Sequence, residues 1–177
     1  MILSDQDIVR EVINGNILFE PELNKEDVSP SSVDVHLGSE ISVFQVLPEA
    51  LTHSIDLNHP GVADALSSLL HTQTISDGGY DLMPSEFVLS RIRERLTLGP
   101  TIAARLEGRS TNARFGLTIH STAPTVHATY SGYLTLEICN LGSMPIKLRP
   151  GLRIGQLIFE RLESPPISTL RSRWQGC

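Results

Sequence analysis

Cysteine is nearly absent: Cys139 and Cys177 are the only two in 177 residues, too few for the disulfide framework of a small secreted scaffold. No run of about eighteen apolar residues occurs, which excludes a helical membrane span. Basic charge is short as well. The 14 Lys and Arg face 20 Asp and Glu, a net charge of −6, whereas binding to nucleic-acid polymers rests on phosphates neutralised by Lys and Arg. General nucleic-acid binding is therefore not expected, but a small anion needs only a local basic site. The opening MILSDQDIVREV carries acids where a secretory signal would carry bases, so the expected compartment is the cytosol. Common catalytic signatures are missing too: no H-x-E…P-C-x-x-C pattern of the zinc deaminases, no G-x-S-x-G elbow and no Walker A loop. His53 and His59 lack Cys or His partners at metal-ligand spacing, so no protein-held zinc is expected.

What remains is an ordinary globular composition, 40% apolar and 19% charged. It predicts one domain over residues 1–177, long enough for a core of its own. Ser4 followed by Asp7 reads as a capped helix start and Asn14-Gly15 as its stop, with Ile8, Val9, Val12 and Ile13 as an apolar stripe between. A second short helix is expected at 61–71, where Val62, Ala65, Leu66, Leu69 and Leu70 repeat the spacing. Both stripes read as packing faces. Short strands are predicted at 33–37, 41–46, 86–91, 101–106, 115–120, 133–138, 146–149 and 153–159, separated by turns such as Asp77-Gly78-Gly79 and Pro150-Gly151. Many strands and few helices predict a mainly β sandwich or barrel-like roll. From Ser164 onward the chain reads as an irregular arm.

Two segments carry candidate chemistry. Arg105, Arg109 and Arg114 lie close together with only Glu107 opposing them, and the stretch 108–114 (GRSTNAR) follows a predicted strand. Its glycine permits a tight turn, while two arginines and two hydroxyls supply the charged donors of a triphosphate cradle. A solvated surface turn has the same composition, so charge leaves both readings open. In 133–138 a period of two sets Leu134, Leu136 and Ile138 on one face and Tyr133, Thr135 and Glu137 on the other. Glu137 is then a solvated surface acid or, if its face lines a cleft, a carboxylate on a rigid strand placed for proton transfer. The pattern alone does not choose.

Six ordered segments go further: MILSDQDI, PSSVDVHLG at 30–38, PSEFVLSRIRERLTL at 84–98, EGRSTNARFGLTIHSTA at 107–123, SGYLTLEICNLG at 131–142 and LRPGLRIGQLIFERL at 148–162. Together they resemble the dCTP deaminase family, part of the dCTP deaminase/trimeric dUTPase superfamily. The resemblance implies a distorted jelly-roll or β-clip barrel of the dUTPase-like type, with a short N-terminal helix and residues 163–177 as a closing arm. The implied reaction is hydrolysis of a cyclic amidine C–N bond, dCTP and water giving dUTP and ammonia. Glu137 would move protons between water and the cytosine ring, and Ser110 and Arg114 would orient the water and the pyrimidine carbonyl. The backbone near Thr122 and Ala123 would place the water against C4. Arg109, Ser110, Thr111, Asn112, Ala113 and Arg114 match the loop running from triphosphate to base. Val126, His127, Thr135, Leu136, Gln156, Arg173 and Gln175 complete the implied nucleotide contacts. The likeness also implies a homotrimer with active sites between subunits, Mg²⁺ carried on the triphosphate, no zinc, and dTTP as a candidate feedback inhibitor.

The chain departs from the family pattern at two places. Members carry Ile-Asp before Pro-Gly-Trp or a similar run, where this chain reads Val126-His127-Ala128-Thr129-Tyr130. Histidine still hydrogen-bonds a 3′-hydroxyl but is a weaker fixed negative centre near neutral pH, so deamination is expected ahead of diphosphatase activity. The ending SRWQGC stands where a lysine–tyrosine–glutamine–glycine–glutamine run is usual, with Arg173 in place of the lysine and Cys177 at the final glutamine. Two other readings stay in view. One is a dUTP diphosphatase, or a bifunctional enzyme forming dUMP. The other is a non-catalytic nucleotide-binding regulator on the same scaffold, which His127 and the tail favour and the Ser110, Arg114 and Glu137 set disfavours.

Overall fold

The computed structural model describes residues 1–45 and 54–168. Helix α1 (Asp5–Ile13) begins where its cap predicts, with the Ser4 hydroxyl accepting from the Asp7 amide at 3.3 Å. Strands β1 (Ile17–Glu20), β2 (Val28–Ser29) and β3 (Ser32–Phe44) follow. Next come α2 (Val62–Leu69), β4 (Leu70–Thr74), β5 (Tyr80–Leu82), β6 (Phe87–Leu98) and β7 (Ile102–Gly108). After a one-turn helix, α3 (Ser110–Ala113), the chain completes β8 (Leu117–Thr118), β9 (Thr125–Val126), β10 (Ser131–Asn140), β11 (Ile146–Leu148) and β12 (Arg153–Arg161).

Among the described residues all strand pairings are antiparallel, and the main sheet has ten strands in the order β8-β10-β6-β3-β12-β7-β9, with β1 beside β6 and both β2 and β4 beside β3; β5 and β11 pair separately. The mainly β, curled architecture expected from the strand count is the one observed. Leu37, Ile41, Ile92, Leu96, Leu136 and Phe159 are fully enclosed, so the core lies against β3, β6, β10 and β12. Burying side chains of this size stabilises the fold by about 1.5–3 kcal/mol each. Among the described residues no helix is long and apolar enough to cross a membrane.

Several elements differ from expectation for identifiable reasons. The segments 33–37 and 41–46 are one strand, β3, with a register shift between Leu37 and Ile41; residue 46 lies outside the described residues. Gly38 lets the strand pass β6 closely, since a Cβ there would meet the Arg91 carbonyl oxygen at 2.9 Å. The expected strand 115–120 shrinks to Leu117–Thr118. On α1 the buried side is Ile8 and Glu11, while Val9 and Ile13 are exposed. Glu11 is enclosed because it is ion-paired with Arg161 and accepts from Asn16 at 2.7 Å. Helix α2 has no buried residue, so its stripe is a half-covered surface, and Leu70 already belongs to β4.

Candidate active site

Strand β10 fixes the orientation of Glu137. Leu134, Leu136 and Ile138 are buried in the core, whereas Tyr133 and Thr135 are exposed and Glu137 is half-buried on the opposite face. The alternation read from the sequence is therefore real. The Glu137 amide donates to the Ile119 carbonyl at 2.9 Å, and the Ser121 amide donates to Glu137 Oε2 at 2.9 Å. The carboxylate is thus drawn against the 119–123 segment, where Ser121, Thr122 and Ala123 are exposed. The second oxygen has no hydrogen bond among the described residues.

The arginine turn is built at the end of β7. Gly108 closes the strand, Arg109 precedes α3, and the Ala113 and Arg114 amides donate to the Arg109 and Ser110 carbonyls at 3.0 and 3.2 Å. Ser110, Thr111, Ala113 and Arg114 face solvent. Asn112 turns inward and donates to the Arg153 carbonyl at 3.0 Å. Gln156 also supports the turn: its Nε2 donates to the Gly108 carbonyl at 3.4 Å and its Oε1 accepts from Ser32 at 3.0 Å. The three clustered arginines do not act together. Arg105 pairs with Glu160 at 3.0 Å, Arg109 lies 3.2 Å from Asp34, and Arg114 makes no ion pair among the described residues. Glu107 faces His120 at 3.7 Å rather than an arginine.

The turn and the end of β10 come together through backbone contact. Gly116, at φ +89°, packs so closely on Gly142 that a Cβ would fall 2.3 Å from the Gly142 nitrogen. The Leu141 amide donates to the Gly116 carbonyl at 2.8 Å. Within one chain, however, no hydrogen bond or ion pair among the described residues joins Glu137 to Ser110 or Arg114. Val126 and Leu136 are buried, so only their main chains can face a ligand, whereas His127 is exposed. Arg173 and Gln175 lie outside the described residues.

Sequence reasoning missed a buried polar network behind the turn. Asp27, Asp34, His36 and Glu94 are all at most 8% exposed. His36 Nδ1 is 2.7 Å from Glu94 Oε1, and its amide donates to Glu94 Oε2 at 3.0 Å. Arg93 reaches Glu94 at 2.9 Å. Arg153 Nη2 lies 3.0 Å from Asp27 Oδ1, which has no aligned hydrogen bond, and Arg153 Nε lies 3.9 Å from Asp34 Oδ2. Asp34 and His36 alternate with Val33, Val35 and Leu37, the pattern of a strand with one wet face. Here both faces are covered, and ion pairing offsets the burial.

Comparison with known proteins agrees with this architecture. A family model described as dCTP deaminase-like matches residues 2–162. A protein of Haloarcula marismortui named dCTP deaminase is 38% identical, over 99% of this chain and 90% of that protein. One of Streptomyces coelicolor, named dCTP deaminase, dUMP-forming, is 40% identical over 99% of this chain and 91% of its own length. The crystal structure of 2′-deoxycytidine 5′-triphosphate deaminase from Agrobacterium tumefaciens superposes with a TM-score of 0.69 at 26% identity. That match covers 91% of this chain but 47% of the solved one, so the chain spans about half of that protein's length.

Proposed function

Because the chain belongs to the dCTP deaminase-like family, we propose that it hydrolyses dCTP to dUTP and ammonia, acting on the cyclic amidine C–N bond of cytosine. The observation that carries this reading is the outward Glu137 carboxylate, fixed by the Ser121 amide on a strand whose other face is core. A base so held loses little entropy in reaching its reactive geometry. In the proposed cycle Glu137 takes a proton from water as the oxygen bonds to C4, and passes it to N3. A second proton then moves from the new C4 hydroxyl through Glu137 to the amino nitrogen, and ammonia leaves as the C4–N bond breaks and the C4 carbonyl forms. Ser110 and Arg114 supply donors to the water and to the pyrimidine carbonyl, where charge develops.

The triphosphate, with Mg²⁺ as part of the substrate, is assigned to Arg109, Ser110 and Thr111. Since Glu137 and Arg114 do not meet within one chain, the reading places them together across an interface in a homotrimer. Phe115, Leu141 and Met144, each more than 70% exposed beside the turn, are apolar surface that such an interface would cover. The cytosol is the compartment this substrate implies. Replacing Glu137 by Gln keeps the strand and removes the base; loss of at least about 10²-fold in kcat is expected, the usual scale of general acid–base catalysis. Full activity in that variant would refute the mechanism.

A second reading, release of dUMP, is favoured by relatives that carry that name, the Streptomyces coelicolor protein among them. Ion-exchange separation of the products separates the readings. Pyrophosphate and dUMP support the second, dUTP with ammonia the first, and binding without turnover a regulator.

A further inference from the structure

We propose that Asp34 is the positioning residue of Arg109, holding its guanidinium so that the Nη edge meets the phosphates of the nucleotide. This rests on the reading of Arg109 as a phosphate ligand and adds the group through which it works. An arginine at the start of a surface turn has many rotamers, and ordering them on binding weakens affinity. Arg109 is restrained by charge: its Nε lies 3.2 Å from Asp34 Oδ1, an ion pair without an aligned hydrogen bond, and no hydrogen bond among the described residues engages its Nη atoms. An ion pair on the Nε side leaves the Nη edge, the planar fork that matches phosphate oxygens, turned away from the carboxylate.

Asp34 is itself fixed. It is 6% exposed and sits on β3, opposite Gln156 of β12, and its Oδ2 lies 3.9 Å from Arg153. Arg153 is in turn 3.0 Å from the buried Asp27. Strand β12 grips the turn twice more, through Asn112 on the Arg153 carbonyl and Gln156 on the Gly108 carbonyl. The carboxylate is thus the charged member of a three-point mount that carries the turn on β3 and β12.

Calorimetric titration with dCTP, and competition with dCMP, on the wild type and on Asp34→Asn, Arg109→Gln and the double variant tests this, with each variant's melting curve recorded. The expected result is a loss of roughly tenfold in dCTP affinity for Asp34→Asn, the scale of one charge-assisted contact, with dCMP affinity within about twofold of wild type. In the Arg109→Gln background the Asp34 change should add nothing, because the two residues act as one unit. Arg109→Lys, which keeps the charge on the exposed side but lacks the fork, should bind dCTP about as weakly as Arg109→Gln and stays informative if Asp34→Asn does not fold. Equal loss for both nucleotides, full additivity, tighter dCTP binding by Asp34→Asn, or wild-type binding by Arg109→Lys would each overturn the proposal while leaving Arg109 a ligand. Unchanged dCTP binding by Arg109→Gln would instead remove the phosphate reading of the turn and this inference with it.

Discussion

Thr129 adopts a φ of +67°, in the left-handed region where a Cβ crowds the backbone by roughly 1–2 kcal/mol. It lies in the Val126–Tyr130 run, which departs from the family pattern. Thr129→Gly should relieve the crowding, while glycine's greater freedom in the unfolded chain takes back about 0.5–1 kcal/mol. A net gain of about 0.5 kcal/mol is expected, read as a rise of about 1–2 °C in Tm; a fall in Tm would show that the conformation carries no strain. Residues also differed in how legible they were. Glu137 was readable because its strand has one apolar face, so alternation alone gave its direction. Asp34 and His36 were not, because the same alternation on a doubly covered strand sends polar side chains inward to charged partners. Nothing local to Val33–Leu37 records that Glu94 and Arg153 will be there.

At the scale of elements, α1 was placed to the residue by its caps, but its buried face was not. Glu11 reaches Arg161 on β12, and the hydrogen bond from that guanidinium holds its carboxyl below the ordinary value of 4.5, aided by Asn16 and opposed by burial. A depressed pKa means that the ionised form is favoured by folding. The contribution is therefore complete above about 4.5 and is lost as pH falls through the folded value. Glu11→Gln should melt lower than wild type at pH 7, by about 1 kcal/mol once the exposure of Arg161 is discounted. The difference should shrink in acid below about pH 4.5; a gap constant from pH 7 to pH 3 would contradict the assignment. Like β1 and β2, strands β4, β5 and β9 were not read from the sequence. Each is short or exposed and exists through a partner far along the chain, such as β4 with β3 and β9 with β7, and no local propensity encodes such a partner.

For the whole molecule, the sequence carried the fold class and the order of the motifs, but not the sheet order or the route by which β3 crosses beside both β6 and β12. Nor could it divide the arginines of the 105–114 stretch, because the division follows from which strand each one faces. The central claim is that Glu137 of one copy works with Ser110 and Arg114 of another. In a closed trimer each site would then draw on two neighbouring chains. The most direct measurement is dCTP turnover by mixed assemblies of Glu137→Gln and Arg114→Ala chains, each nearly inactive alone. Refolding or co-expressing them in equal amounts should restore about one quarter of wild-type activity, the statistical share of sites that receive both intact residues. Mixed assemblies no more active than either parent would contradict a shared site.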